Sequence, residues 1–87
     1  MTKHAVERAL ERRVELQHIE FVINNPHETI YDIVRENYKS CGLISNSPFN
    51  EQPWLLVVHS KFNTAVLIIT VMWIDKGGLR AYGFGKF

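Results

Sequence analysis

The sequence predicts an α+β domain: two N-terminal helices packed on a three-stranded antiparallel β-meander, in the order ααβββ and in two layers. Three observations predict it. The first 24 residues hold Glu, Arg, Ala and Leu with no Gly or Pro. Asn25-Pro26-His27-Glu28 has the form of a helix start. The last third carries the β-branched run Ala65–Ile74 and a Gly77-Gly78 pair. The 87 residues suit one domain, 1–87, and 46% apolar content is that of a folding chain.

Residues 2 to about 24 read as one helix. At 100° per residue, Val6, Leu10, Val14 and Phe21 form one apolar arc, and Ala5, Ala9, Leu16, Ile19 and Ile23 another. Glu7, Arg8, Glu11, Glu15 and His18 fill the opposite side. So wide an apolar surface fits a helix wedged between the sheet and the second helix, or one arc meeting another subunit.

A second helix is expected from Pro26 to about Ser40, with Asn25 as its cap and Gly42 just beyond its end. Ile30, Ile33, Val34, Asn37, Tyr38 and Cys41 would face the core, and Asp32, Arg35, Glu36 and Lys39 the solvent. Residues 43–53 form a loop, with Phe49 either pinning it to the core or awaiting a partner.

Trp54–Ser60 is the first expected strand. Lys61-Phe62-Asn63 reverses the chain, with Asn63 suited to the left-handed conformation, and Thr64–Asp75 is the second strand. With Gly77-Gly78 as a hairpin turn, Arg80–Phe87 becomes the third. That register pairs Asp75 with Arg80, Trp73 with Tyr82 and Val71 with Phe84. One face then carries Val66, Ile68, Thr70, Met72 and Ile74 beside Ala81, Gly83, Gly85 and Phe87, and is assigned to the helices. The other carries Leu67, Ile69, Val71 and Trp73 beside Arg80, Tyr82, Phe84 and Lys86. Depending on the first turn, it receives from the first strand either Leu55, Val57 and His59 or Trp54, Leu56 and Val58. Two helices arriving together do not readily cover both faces, so this second face is expected to meet a partner, the alternative being that the first helix crosses to the far side and covers it.

Composition narrows the function classes. A net charge of +1 is neither a nucleic-acid nor an acidic-mimic signature, so electrostatic function must come from local clustering. The lone Cys41 forms no internal disulfide, and the charged N-terminus lacks a signal-peptide core. The run Ala65–Ile74 is about half the ~20 residues a membrane helix needs. A soluble, cytoplasmic protein without membrane contact is expected. No cofactor signature is present, and His4, His18, His27 and His59 lack metal-ligand spacing.

The leading expectation is a non-enzymatic protein-binding module. It would be an inhibitor or regulator that occludes or assembles a partner protein through Trp73, Arg80, Tyr82, Phe84, Lys86 and His59. Aromatic residues and Arg are the usual anchors of such surfaces. Self-association as a homodimer is the simplest form of partner. In size and lack of motifs the chain is similar to phage or mobile-element inhibitors.

The alternative is a single-stranded nucleic-acid binder. Arg80-Ala81-Tyr82-Gly83-Phe84-Gly85-Lys86-Phe87 resembles the ribonucleoprotein octapeptide of RNA-recognition motifs at Arg80, Tyr82, Gly83, Phe84 and Phe87, and departs from it at Ala81 and Gly85. The resemblance implies bases stacking on Tyr82 and Phe84, with Arg80 and Lys86 at phosphates. A third reading is a ribonuclease-like acid–base site composed from His59, Glu28, Arg80, Tyr82 and Lys86.

Overall fold

The structure, a computed structural model, describes residues 1–87, with the side chain of Phe62 excepted. Helix α1 spans Lys3–Glu11 and α2 spans Leu16–Asn24. Strands β1 (Glu28–Asp32), β2 (Asn37–Leu43), β3 (Trp54–Phe62) and β4 (Ala65–Ile74) follow, then helix α3 (Lys76–Ala81). The strands form an antiparallel sheet in the order β1-β2-β3-β4. The class is α+β with two N-terminal helices, but with four strands rather than three, and with a C-terminal helix.

The stretch read as one helix is two. Arg13 takes a left-handed φ of 58° and ends the first run, and the Glu15 amide donates to His18 Nδ1 at 3.0 Å as the second begins. The turn is pinned to the sheet: Arg12 donates to the Val71 carbonyl at 2.7 Å, and the Trp73 indole N–H donates to the Arg12 carbonyl at 2.8 Å. A straight helix over residues 3–24 would run roughly 33 Å. That nearly equals the molecule's longest extent of 36 Å. Two short helices joined by a turn can both lie on the sheet.

The expected second helix is a hairpin, β1 and β2. Thr29, Ile30, Tyr31, Ile33 and Val34 are β-branched or aromatic and lose side-chain freedom in a helix, and this outweighs the cap signature. Asn25 is the C-cap of α2, not the N-cap of a new helix. Asp32 Oδ1 accepts from the amides of Val34 and Arg35 at 3.0 and 3.1 Å, and Glu36 takes a φ of 54°, which together make the turn. Gly42 ends no helix. It lies in β2 beneath α2, where a Cβ would stand 3.0 Å from Val22 Cγ2. The β3–β4 hairpin forms with Asn63 left-handed at φ 57°, but Lys61-Phe62 is not part of the reversal. Strand β3 runs on to Phe62, Lys61 pairs with Val66, and the turn is Asn63-Thr64.

The expected last strand does not form. Asp75 caps α3 by accepting from the Gly78 amide at 2.7 Å, so Gly77-Gly78 becomes the first turn of a helix instead of a hairpin. A Cβ at position 78 would fall 2.5 Å from Ile74 Cγ1, so glycine lets α3 fold tightly back on β4. The pairs Asp75–Arg80, Trp73–Tyr82 and Val71–Phe84 are therefore not strand partners, and the octapeptide is helix and tail.

The facing of the sheet differs as well. Val58 pairs with Thr70 but His59 pairs with Ile68, so β4 carries a bulge at Ile69. Past it the alternation is inverted, and Ile68 joins Val71 and Trp73 on the side facing α1 and α2. There they pack with Leu55, Val57, Ala5, Ala9, Val14, Ile19, Val22 and Ile44. Val71 and Trp73, on the face expected to meet a partner, are thus covered by α1 and α2, while the face of Met72 and Ile74, expected to take those helices, is filled by the C-terminal segment. Leu79 of α3 and Phe84 of the tail join Cys41, Trp54, Leu56 and Ile74, flanked by Ile30 and Met72. Both faces of the sheet thus carry an apolar core, in three layers. Phe49 lies under the Arg13 guanidinium, 5.8 Å from its ring centre, tying the long loop to the α1–α2 turn. Among the described residues no helix is long and apolar enough to cross a membrane.

Candidate functional site

Helix α1 lies over β4, and α2 crosses β2 and β3 where Val22 meets Gly42. The other end of this face, built by β1, β2 and β3, stays open, and polar and aromatic side chains replace the core there. The strand register determines which ones. Tyr31 on β1 is opposite Tyr38 on β2, which is opposite His59 on β3. One step along, Thr29 is opposite Ser40.

These residues are in contact. The rings of Tyr31 and Tyr38 are 4.9 Å apart and tilted by 59°, and Tyr38 stacks on His59 at 5.6 Å with 16° between planes. Beneath the rings runs a hydrogen-bond chain: Thr29 Oγ1 to Ser40 Oγ at 2.8 Å, and Ser40 Oγ to His59 Nε2 at 2.8 Å. Each hydroxyl both donates and accepts, so the chain can be polarised in either direction. When His59 donates from Nε2, its Nδ1 is left as the proton acceptor. Partial burial lowers the pKa of His59 from its ordinary value of 6.5, because desolvation disfavours the imidazolium. At neutral pH the ring is therefore neutral and able to accept a proton.

A hydroxyl bonded to a histidine also has the form of an activated nucleophile. Ser40 does not fit that role, being only 2% exposed and so out of reach of a substrate. Ser40 and Thr29 instead orient the imidazole.

Charge frames this end of the sheet. Lys61 is two residues beyond His59 on the same strand and is exposed. Thr2 donates to the carbonyl of Ile68, the residue opposite His59, which brings the start of α1 and Lys3 to the same end. Arg35 is in the β1–β2 turn, exposed, with its Nε 4.0 Å from Asp32. Asp32 is engaged elsewhere, by Lys39 at 2.9 Å on the other face. The Lys39 hydrogen bond, then the amide of Arg35, hold its carboxyl below the ordinary carboxylate pKa. Among the described residues no group of three or more His, Cys, Asp or Glu side chains is disposed to hold a metal ion.

The residues singled out from the sequence are dispersed. Only His59 belongs to the polar cluster. Trp73 is 6% exposed and lies edge-on to His18, 5.3 Å between rings, in the core under the helices. Phe84 is 3% exposed on the opposite face. Arg80 is on α3. The Tyr82 hydroxyl reaches Met72 Sδ at 3.8 Å, and the Lys86 amide donates to Glu28 Oε1 at 2.8 Å. They share no surface with His59. Sequence reading missed Thr29, Tyr31, Tyr38 and Ser40, whose spacing of two in each pair is a strand signal that the helix-start signature masked.

No curated protein and no solved structure matches the chain. The family model described as Domain of unknown function (DUF4258) matches residues 1–73. That span takes in both N-terminal helices, the sheet up to Trp73 and every residue of the polar cluster, and the chain belongs to this family.

Proposed function

We propose that the protein cleaves single-stranded RNA by general acid–base catalysis, with His59 as the proton-transferring group. One observation carries the reading: a neutral, half-buried histidine, held by the Thr29–Ser40 hydroxyl pair, ends an open row of aromatic rings. Tyr31, 53% exposed at the outer end of that row, offers a face on which a base can stack. Lys3, Arg35 and Lys61 offer cations for the backbone phosphates.

The chemistry assigned to the site is transesterification within the RNA chain. The free nitrogen of His59 takes the proton of a ribose 2′-hydroxyl, whose oxygen attacks the adjacent phosphorus. The P–O5′ bond breaks as the new P–O2′ bond forms. The departing 5′-oxygen takes its proton from water, His59 returns its own to solvent, and the products end in a 2′,3′-cyclic phosphate and a 5′-hydroxyl. DNA, without the 2′-hydroxyl, is not cleaved.

The test is a cleavage assay on end-labelled single-stranded RNA and its DNA counterpart. RNA-only cleavage that His59→Ala removes is the expected result. Salt-sensitive RNA binding without turnover in the unmutated protein would reduce the site to a binding surface.

A second reading, the protein-binding regulator, retains one observation. Phe21 and Leu43 are exposed beside a groove of about 570 Å³ between α2 and the start of the long loop, lined also by Gln17, His18 and Ile44. Phe21→Asp is its test: loss of a dimer seen by light scattering, with RNA cleavage absent throughout, favours this reading.

A further inference from the structure

Strand β1 is at the edge of the sheet, five residues long and paired on one side only. It nevertheless supplies Thr29 and Tyr31, two of the five members of the site. An edge strand this short has few ladder bonds to keep it in register. Its other face shows what holds it. Glu28, one residue from Thr29, turns its carboxylate to the C-terminal tail, where Oε1 accepts from the amides of Gly85 at 2.9 Å and Lys86 at 2.8 Å. Hydrogen bonds to an ionised acceptor are the strong kind. His27, just before the strand, bonds through Nε2 to the Lys86 carbonyl. Its ring stacks on Phe87 at 5.2 Å and meets the Trp54 ring edge-on at 5.0 Å. Phe84 anchors the same tail in the apolar core beside Ile30. The tail therefore crosses the back of β1 as a strap, outside residues 1–73 matched by the family.

The geometry points to Glu28 as a positioning residue: by fastening Gly85 and Lys86 across the back of β1, it holds the edge strand where Thr29 and Tyr31 complete the site around His59. The period of two in a strand makes this possible, since Glu28 and Ile30 face the strap while Thr29 and Tyr31 face the site. Glu28 touches neither substrate nor His59. It acts through the strand, and whatever loosens the tail loosens the site. The inference rests on the reading of His59 as the proton-transferring group, and it is tested without RNA.

The measurement is the titration of the His59 ring by NMR, with hydrogen exchange of the amides that join β1 to β2. The groups sharing the face of His59 are Tyr31, Tyr38 and Lys61 from the strands and the buried Ala5 and Ala9 of α1, with no carboxylate among the strand residues. Glu28→Ala is expected to speed exchange across β1–β2 about tenfold while the β3–β4 amides stay protected. It is also expected to raise the His59 midpoint toward its ordinary 6.5 as burial is lost. Removing a negative charge by itself lowers a histidine pKa, so the upward shift distinguishes positioning from simple electrostatics. Glu28→Gln, which keeps an acceptor oxygen, should restore most of the protection. Lys86→Pro, which removes one donated N–H without touching β1, should reproduce the Glu28→Ala result. An unchanged His59 titration and β1 exchange in both variants would overturn the proposal. Equal loss of protection in β3–β4 would also overturn it, since Glu28 would then support the whole fold. Absence of RNA cleavage with these shifts present would fell the catalytic reading and leave the positioning role standing.

Discussion

Tyr38 and His59 face each other across the β2–β3 ladder with their rings stacked 5.6 Å apart and nearly parallel. The stack covers one side of the imidazole, and the Ser40 hydroxyl holds its Nε2. A histidine so held has one orientation, one nitrogen free and a lowered proton affinity.

His59→Ala is expected to lower RNA cleavage by about 10²–10⁴-fold, the usual contribution of a general base. In the unmutated protein the rate should rise with pH through the lowered His59 pKa and level off by neutral pH, because the neutral ring accepts the proton. A rate that falls over that range would contradict the assignment. Ser40→Ala should retain partial activity, since Ser40 orients the ring and is not attacked.

Tyr31→Ala should weaken single-stranded RNA binding by about 1–3 kcal/mol, the worth of one stacked base. Its measurement is fluorescence anisotropy at fixed salt. Lys61→Ala should instead lower the salt dependence of binding, reducing the slope of log K against log salt by about 0.7 for one lost phosphate contact.

The second core depends on residues near the C-terminus. Leu79→Ala, at a fully buried position, should cost about 2–5 kcal/mol in chemical denaturation. Asp75→Ala, which removes the α3 cap, should cost about 1 kcal/mol. Neither position would affect stability to that degree if the chain ended in an exposed strand.

Stability should fall on acidification in two stages. His59, with a lowered folded pKa, contributes stability above the unfolded value of 6.5 that is lost as pH drops through the folded value. Asp32, likewise lowered, contributes stability above 3.8 that disappears at still lower pH. Urea midpoints measured from pH 7 down to pH 3 follow both, and His59→Ala should remove the upper stage alone.

Cys41 is fully buried, and burial pushes its thiol up to about 11. It should resist thiol reagents at pH 8 in the folded protein and react at once in denaturant. A thiol with a raised pKa favours the folded state below its ordinary 9.0, and that contribution is lost as pH rises toward 11.

Local chemistry was enough to determine some of this molecule. Helix formers without Gly or Pro placed helix in residues 3–24, β-branched runs placed β3 and β4, and Asn63 placed the turn between them. Those signals depend on neighbours a few residues apart, and the tertiary structure leaves them intact. Where two local signals competed, only the whole molecule decided. Asn25-Pro26-His27-Glu28 reads as a helix start, yet β2 offers the following residues a ladder, and Thr29, Ile30 and Tyr31 extend to meet it. Gly77-Gly78 reads as a hairpin turn, yet the apolar back of the sheet must be covered, and Asp75 with Leu79 makes a helix that covers it. The bulge at Ile69 carries no sequence mark at all, and it exchanges the faces of everything beyond it. The site follows from these decisions. His59 was visible as a candidate, but Thr29, Tyr31, Tyr38 and Ser40 come to it only through strand register, which is set by pairing between segments distant in sequence.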